Sequence, residues 1–139
     1  MTVEMVLIGL ALLALRIGLG VELLVHGWPK IKSPAAFAGM LGQMGMKGAT
    51  FWSWVVALVE FLGGISIILG LLTRPAAFFV TIQFLVISFW LKPKKMKVPF
   101  TTPQGAGWEF DWLILAMGLA LLLAGSGVFG LDRVIGLPF

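Results

Sequence analysis

Sixty per cent of the 139 residues are apolar and 12% are charged, and the mean hydropathy of +1.05 is far above that of a water-soluble domain. One domain is all this length allows, and four apolar stretches of about 20 residues with their loops consume nearly all of it, leaving little for a soluble catalytic domain. The absence of cysteine and the single histidine exclude disulfides, thiolate metal sites, dithiol chemistry and a bis-histidine haem within one chain, and no metal site is expected; the net charge of +4 lies in loop lysines, a sign of membrane orientation and not of nucleic-acid binding.

The first predicted span covers about residues 5–27 and is interrupted by Arg16 and Glu22. Met1 to Glu4 hold no basic residue and no small-residue cleavage site follows, so this run reads as a retained helix and not as a signal peptide. It is expected to exit the bilayer at Pro29. Residues 31–50 carry Gly39, Gly42, Gly45 and Gly48 among Met40, Met44 and Met46, apolar enough to touch lipid but too broken to span, so a short interfacial helix or loop is expected there.

The second span, about 51–72, opens on Trp52 and Trp54 and contains one charge, Glu60. After a tight turn at Thr73-Arg74-Pro75 comes a third, about 75–91, whose one amide side chain is Gln83. Residues 92–107 hold four lysines and three prolines and read as a basic, extended loop. The fourth span, about 108–131, begins with Trp108, Glu109, Asp111 and Trp112. Small residues at every fourth position, Ala14 and Gly18 in the first span and Ala116, Ala120 and Ala124 in the fourth, offer ridges for close helix contact. The fold expected is an all-α transmembrane four-helix bundle. Seven lysines on the side of the two long loops, against Arg74 and Arg133 on the other, place those loops in the cytoplasm and both termini outside.

Ionisable residues inside these spans are the candidate site. At about 1.5 Å per residue, Arg16 lies roughly 16 Å, Glu22 roughly 7 Å, Glu60 roughly 12 Å and Gln83 roughly 12 Å from the long-loop ends of their spans. Arg16 and Glu60 are therefore expected to face inward and pair, because either alone costs about 2.5 to 3.5 kcal/mol at a helix centre. Arg16, Glu22 and His26 share one face of the first helix, with Glu22 and His26 as i, i+4 neighbours. With Lys30, Gln83, Glu109 and Asp111 they collect toward the long-loop side. Two readings stay open: a network that fixes helix register, or a polar cavity in which Glu60, Arg16 and His26 hold a quinone, an anion or a proton path, an imidazole near a carboxylate being suited to proton exchange. Asp132 and Arg133 are expected to cap the last helix or bind a partner.

Several segments resemble the DoxX family of membrane proteins. Leu15-Arg16-Ile17-Gly18-Leu19-Gly20 followed by His26-Gly27-Trp28-Pro29-Lys30 resembles its opening. Glu60-Phe61-Leu62-Gly63-Gly64 through Leu69-Gly70-Leu71-Leu72-Thr73-Arg74 is similar to its second helix, and Trp108-Glu109-Phe110-Asp111 and Gly127-Val128-Phe129-Gly130-Leu131-Asp132 to its closing segments. That resemblance implies a four-helix protein of a bacterial or archaeal cytoplasmic membrane, associated with oxidoreductase systems, with Arg16, His26, Lys30, Glu60 and Asp132 as the positions to carry over. Any electrons would be carried by a bound quinone or another subunit, since the chain has no redox group of its own. Three functions follow as expectations: an oxidoreductase-associated subunit holding a quinone or a partner, a purely structural subunit of a larger membrane complex, and a small anion or proton-linked carrier, for which no inverted repeat is visible; the partners expected are the bilayer and other membrane subunits or a homo-oligomer.

Overall fold

A computed structural model describes residues 1–105 and 107–138. Its elements are α1 (Val3–Lys32), α2 (Pro34–Gln43), α3 (Ala49–Leu69), α4 (Thr73–Val86, wound on as a wider π-helix over Ile87–Lys95), α5 (Glu109–Ala124) and the single turn α6 (Leu131–Val134). α1 packs on α3, α3 on α4 and α4 on α5, and a lighter α5 to α1 contact closes the all-α bundle. Its core is Leu19, Leu23, Ile67, Ala77, Val80, Phe84, Ile114, Leu115 and Leu121.

Three helices are long and apolar enough to cross a membrane: Val3–Lys32, Ala49–Leu69 and Thr73–Lys95. α5 has 16 residues, about 24 Å at 1.5 Å per residue, which is short of the ~30 Å hydrocarbon core. It ends early because Gly125, at φ 78° and ψ −161°, takes a conformation that only glycine adopts readily. The fourth span expected over 108–131 is thus a shorter member of the bundle, followed by a folded-back tail.

Two other boundaries differ from the sequence reading. α1 runs through Pro29 to Lys32, since membrane helices tolerate a proline that a soluble helix would end at. Likewise the lysines from Lys92 to Lys95 continue α4: the π winding, with Met96 N–H donating to Leu91 O, carries the chain past Pro93. The remaining loop is pinned to α5 by Trp108 N–H to Pro99 O and Glu109 N–H to Phe100 O, with Phe100 and Trp108 rings edge to face at 4.6 Å; its residue 106 lies outside the described residues. α2 is the short helix expected between the first two spans, and lies along the start of α3.

Close approach of α1 and α3 depends on glycines, though not those of the predicted ridges. Ala14, Gly18, Ala116, Ala120 and Ala124 all face outward. The contacts are made at Gly20 against Gly64 and at Gly27 against Glu60 and Phe61. A Cβ at Gly27 would stand 2.7 Å from Phe61 N and 2.9 Å from Glu60 Cβ, and helix backbone has no room to yield. Gly27→Ala is expected to force the helices apart and destabilise the protein by about 1 to 3 kcal/mol. Gly39→Ala, in the interior of α2 with nothing within 4 Å, should be neutral or mildly stabilising. Thermal unfolding of both variants in one detergent measures the contrast.

Candidate functional site

At the long-loop end of the bundle, three helices contribute to one buried acid. Glu60 of α3 is 1% exposed. Lys30, in the last turns of α1, donates to its Oε2 at 2.5 Å, and Gln83 of α4 donates from Nε2 to Oε1 at 2.8 Å. Lys30 can make this bond because α1 continues past Pro29, which leaves its ammonium inside the bundle. The same Nζ stands 5.1 Å from the centre of the Phe37 ring of α2. Lys30 also borders a groove of about 490 Å³ lined by Trp28, Pro29, Lys32, Ser33, Ala36 and Phe37. The groove is mainly apolar-walled, and Lys30 on its lining links it to the buried Glu60. Gln83 Oε1 is buried and accepts no hydrogen bond among the described residues.

His26 is close enough to Glu60 to interact with it electrostatically, and its ring packs against Phe110 of α5 at 5.6 Å. Its hydrogen-bonding side turns outward, where Nε2 lies 3.6 Å from Glu22 Oε2. Asp111 belongs to a second ion pair: Lys92 Nζ stands 2.5 Å from its Oδ2, not aligned as a hydrogen bond. Lys92 reads from the sequence as a loop lysine and is not among the candidate site residues. Its position 19 residues before Asp111 gave no signal, because the pairing depends on the π extension of α4. Glu109, in the first turn of α5, makes no ion pair among the described residues.

Arg16 does not pair with Glu60. Both face inward as expected, each 1% exposed, but Arg16 serves the opposite end of α3. α3 ends in a Schellman turn, with Gly70 at φ 65°, Leu71 N–H bonded to Ser66 O and Gly70 N–H to Ile67 O. The guanidinium donates to two carbonyls of this last turn, from Nε to Ile67 O at 3.0 Å, beside the Gly70 N–H that the same oxygen accepts, and from Nη2 to Ile68 O at 2.9 Å. Nη1 donates to Ser126 O at 2.7 Å. Asp132, which interacts electrostatically with Arg16, completes the arrangement. Its carboxylate accepts from Leu72 N–H at 2.6 Å and Thr73 N–H at 3.0 Å, so it caps α4 and not the helix it opens. A cation thus sits at the C-terminus of α3 and an anion at the N-terminus of α4, each matching the local helix dipole. Depth counting failed here because a long side chain aims at backbone oxygens, which a residue pattern does not display.

Two polar centres therefore exist where one was expected: a structural clamp at the turn end, and the Lys30–Glu60–Gln83 cluster beside a groove at the long-loop end. The sequence profile of DoxX matches residues 11–93, a stretch that contains Arg16, His26, Lys30, Glu60 and Gln83. The chain belongs to the DoxX family. Related proteins cover nearly all of it. One named "Putative oxidoreductase CatD", from Bacillus subtilis, is 30% identical over 125 residues, 88% of this chain and 85% of that protein. "Inner membrane protein YqjF" of Escherichia coli is 30% identical over 124 residues, 88% of this chain and 90% of its own length. A Haemophilus influenzae protein of uncharacterised function is 30% identical over 120 residues, 86% of each chain. No solved structure matches significantly. As a DoxX protein built from apolar helices, the chain is an integral membrane protein in contact with the lipid bilayer.

Proposed function

We propose that this DoxX protein serves an oxidoreductase system of a bacterial cytoplasmic membrane by holding the head of a quinone-type carrier beside Lys30 and Glu60, with the long loops on the cytoplasmic side. The observation that carries the reading is Lys30, which lines a mainly apolar groove with Trp28 and Phe37 and whose ammonium, with the Gln83 amide, holds the buried acid Glu60 behind it. The names of the Bacillus subtilis and Escherichia coli relatives supply the oxidoreductase and inner-membrane context.

The donor set fits such a group. A quinone presents two carbonyl acceptors on a flat ring, and its quinol form presents two hydroxyl donors. Lys30 Nζ, on the groove lining, is a charged donor for the first, and the buried Glu60 carboxylate that it holds is the acceptor behind it for the second. Trp28 and Phe37 offer aromatic walls, and flat rings pack on such walls with about 0.5 to 1.5 kcal/mol beyond area burial. When bound, a quinone supplies two-electron, two-proton redox chemistry. This chain's part is to hold and orient it and, at Glu60, to accept a proton in the dry interior.

Titrating the purified protein with a short-chain quinone while following tryptophan fluorescence tests this. Saturable quenching is expected. Lys30→Met should weaken binding about tenfold or more, since a hydrogen bond to a charged group contributes roughly 1.5 to 3 kcal/mol. If no quinone copurifies, none quenches saturably and Lys30→Met changes thermal stability alone, the ligand reading fails and the cluster is purely structural.

A further inference from the structure

The basic end of α4 carries more charge than the fold uses. Of the seven lysines on the long-loop side, Lys30 and Lys92 pair with the buried Glu60 and Asp111. Lys94, Lys95 and Lys97 are exposed and meet no acid among the described residues. Lysines in a last helical turn offset the helix dipole, which accounts for Lys94 and Lys95, but Lys97 stands beyond the helix. It sits in the turn that closes the π stretch, where Met96 N–H donates to Leu91 O and Val98 N–H to Lys92 O. Its φ of 54° lies in the left-handed region that glycine takes without strain. A lysine held there at a cost to the backbone points to a use for its charge.

Around these charges the segment is apolar. Phe89, Trp90, Met96 and Phe100 are exposed, and Lys95 Nζ stands 5.5 Å from the centre of the Trp90 ring. Thr73–Lys95 is long and apolar enough to cross a membrane, so its lysine end lies where hydrocarbon gives way to headgroups, the level at which exposed tryptophan settles. The anions present at that level are the phosphates of the leaflet. We propose that Lys94, Lys95 and Lys97 bind the headgroup of an acidic phospholipid, whose acyl chains run against Phe89 and Trp90. Charge complementarity and the mixed surface select this occupant. An amphiphile answers both the ammonium groups and the exposed rings, whereas a nucleic acid or an acidic protein loop would leave the rings unanswered. The inference is independent of the quinone reading, because none of the three lysines borders the groove between Trp28 and Phe37.

Bromine quenches nearby tryptophan, which supplies the test. The full chain is reconstituted in phosphatidylcholine vesicles holding a minor share of brominated phosphatidylglycerol, or the same share of brominated phosphatidylcholine. Quenching of the wild type should show a preference of about fivefold or more for the acidic lipid, the effect of roughly one lysine beside an acidic surface, and added salt should weaken it. Lys94→Gln, Lys95→Gln and Lys97→Gln combined should remove most of that preference. Lys97→Gly separates charge from fold. It relaxes the backbone, so in phosphatidylcholine alone this variant should withstand heat at least as well as the wild type, while its preference for the acidic lipid falls about twofold or more. Equal quenching of the wild type by the two brominated lipids overturns the proposal, as does a preference that the triple change leaves intact. A Lys97→Gly protein that loses heat resistance in phosphatidylcholine and keeps the full preference overturns the part assigned to Lys97.

Discussion

Replacing Arg16 with alanine is expected to remove most folded protein from the membrane, or to lower its unfolding temperature by on the order of 10 °C. The guanidinium supplies donors to three carbonyls, Ile67 O, Ile68 O and Ser126 O, and interacts with the fully buried Asp132. Alanine would take the guanidinium donors from all three, leaving Ile67 O with the Gly70 N–H alone, and would leave the carboxylate without its counter-charge. Removing one member of a buried pair costs about 3 to 5 kcal/mol, a large share of the roughly 5 to 15 kcal/mol that holds a domain together. Arg16→Lys should fall between, because an ammonium keeps the charge but cannot serve three carbonyls on a fixed planar fork. Fluorescence-detected size exclusion after a heat ramp, in one detergent for all three proteins, gives the ranking. An Arg16→Ala protein as heat-resistant as the wild type would mean that the clamp contributes little.

The same residue marks where the sequence stops being legible. Apolar runs located the helices, because in lipid every backbone polar group must be satisfied within its own segment and hydropathy follows that requirement closely. Glu60 and Gln83, each counted at about 12 Å from its loop end, do meet, although the pair expected from depth is Glu60 with Arg16. Depth counting failed for Arg16, whose side chain works seven and eight residues beyond Glu60 on α3, at Ile67 and Ile68. Those partners are main-chain oxygens exposed by a Schellman turn, and the capping carboxylate, Asp132, comes from 60 residues after Leu72. A residue pattern encodes neither. Lys30 and Lys92 show a second limit. In the sequence Lys92 reads as a loop charge and Lys30 as an interface charge with a place in the polar cluster, and both make ion pairs where α1 and α4 continue as helix past their expected ends.

Lys30 and Glu60 can be separated into what they do for stability and what they do for a ligand. Glu60→Leu alone should destabilise the protein by about 3 to 5 kcal/mol, because Lys30 is left with its charge facing the bundle and Gln83 with an unanswered amide. Lys30→Met alone should cost a comparable amount by stranding the carboxylate, which is 1% exposed. Combined, the two changes should recover most of that loss, since an apolar pair of similar volume carries neither desolvation penalty; the remaining deficit, about 1 to 3 kcal/mol, belongs to Gln83. A double-mutant cycle on thermal or denaturant unfolding therefore gives a strongly non-additive result. Quinone quenching follows the opposite rule: the double variant has lost both the donor and the acceptor, so restored stability brings no restored binding. If stability and quenching returned together, neither side chain would touch the ligand. If the two single costs simply added, the 2.5 Å contact would hold no coupling energy, and the cluster would be two separate surface-like charges instead of one buried pair.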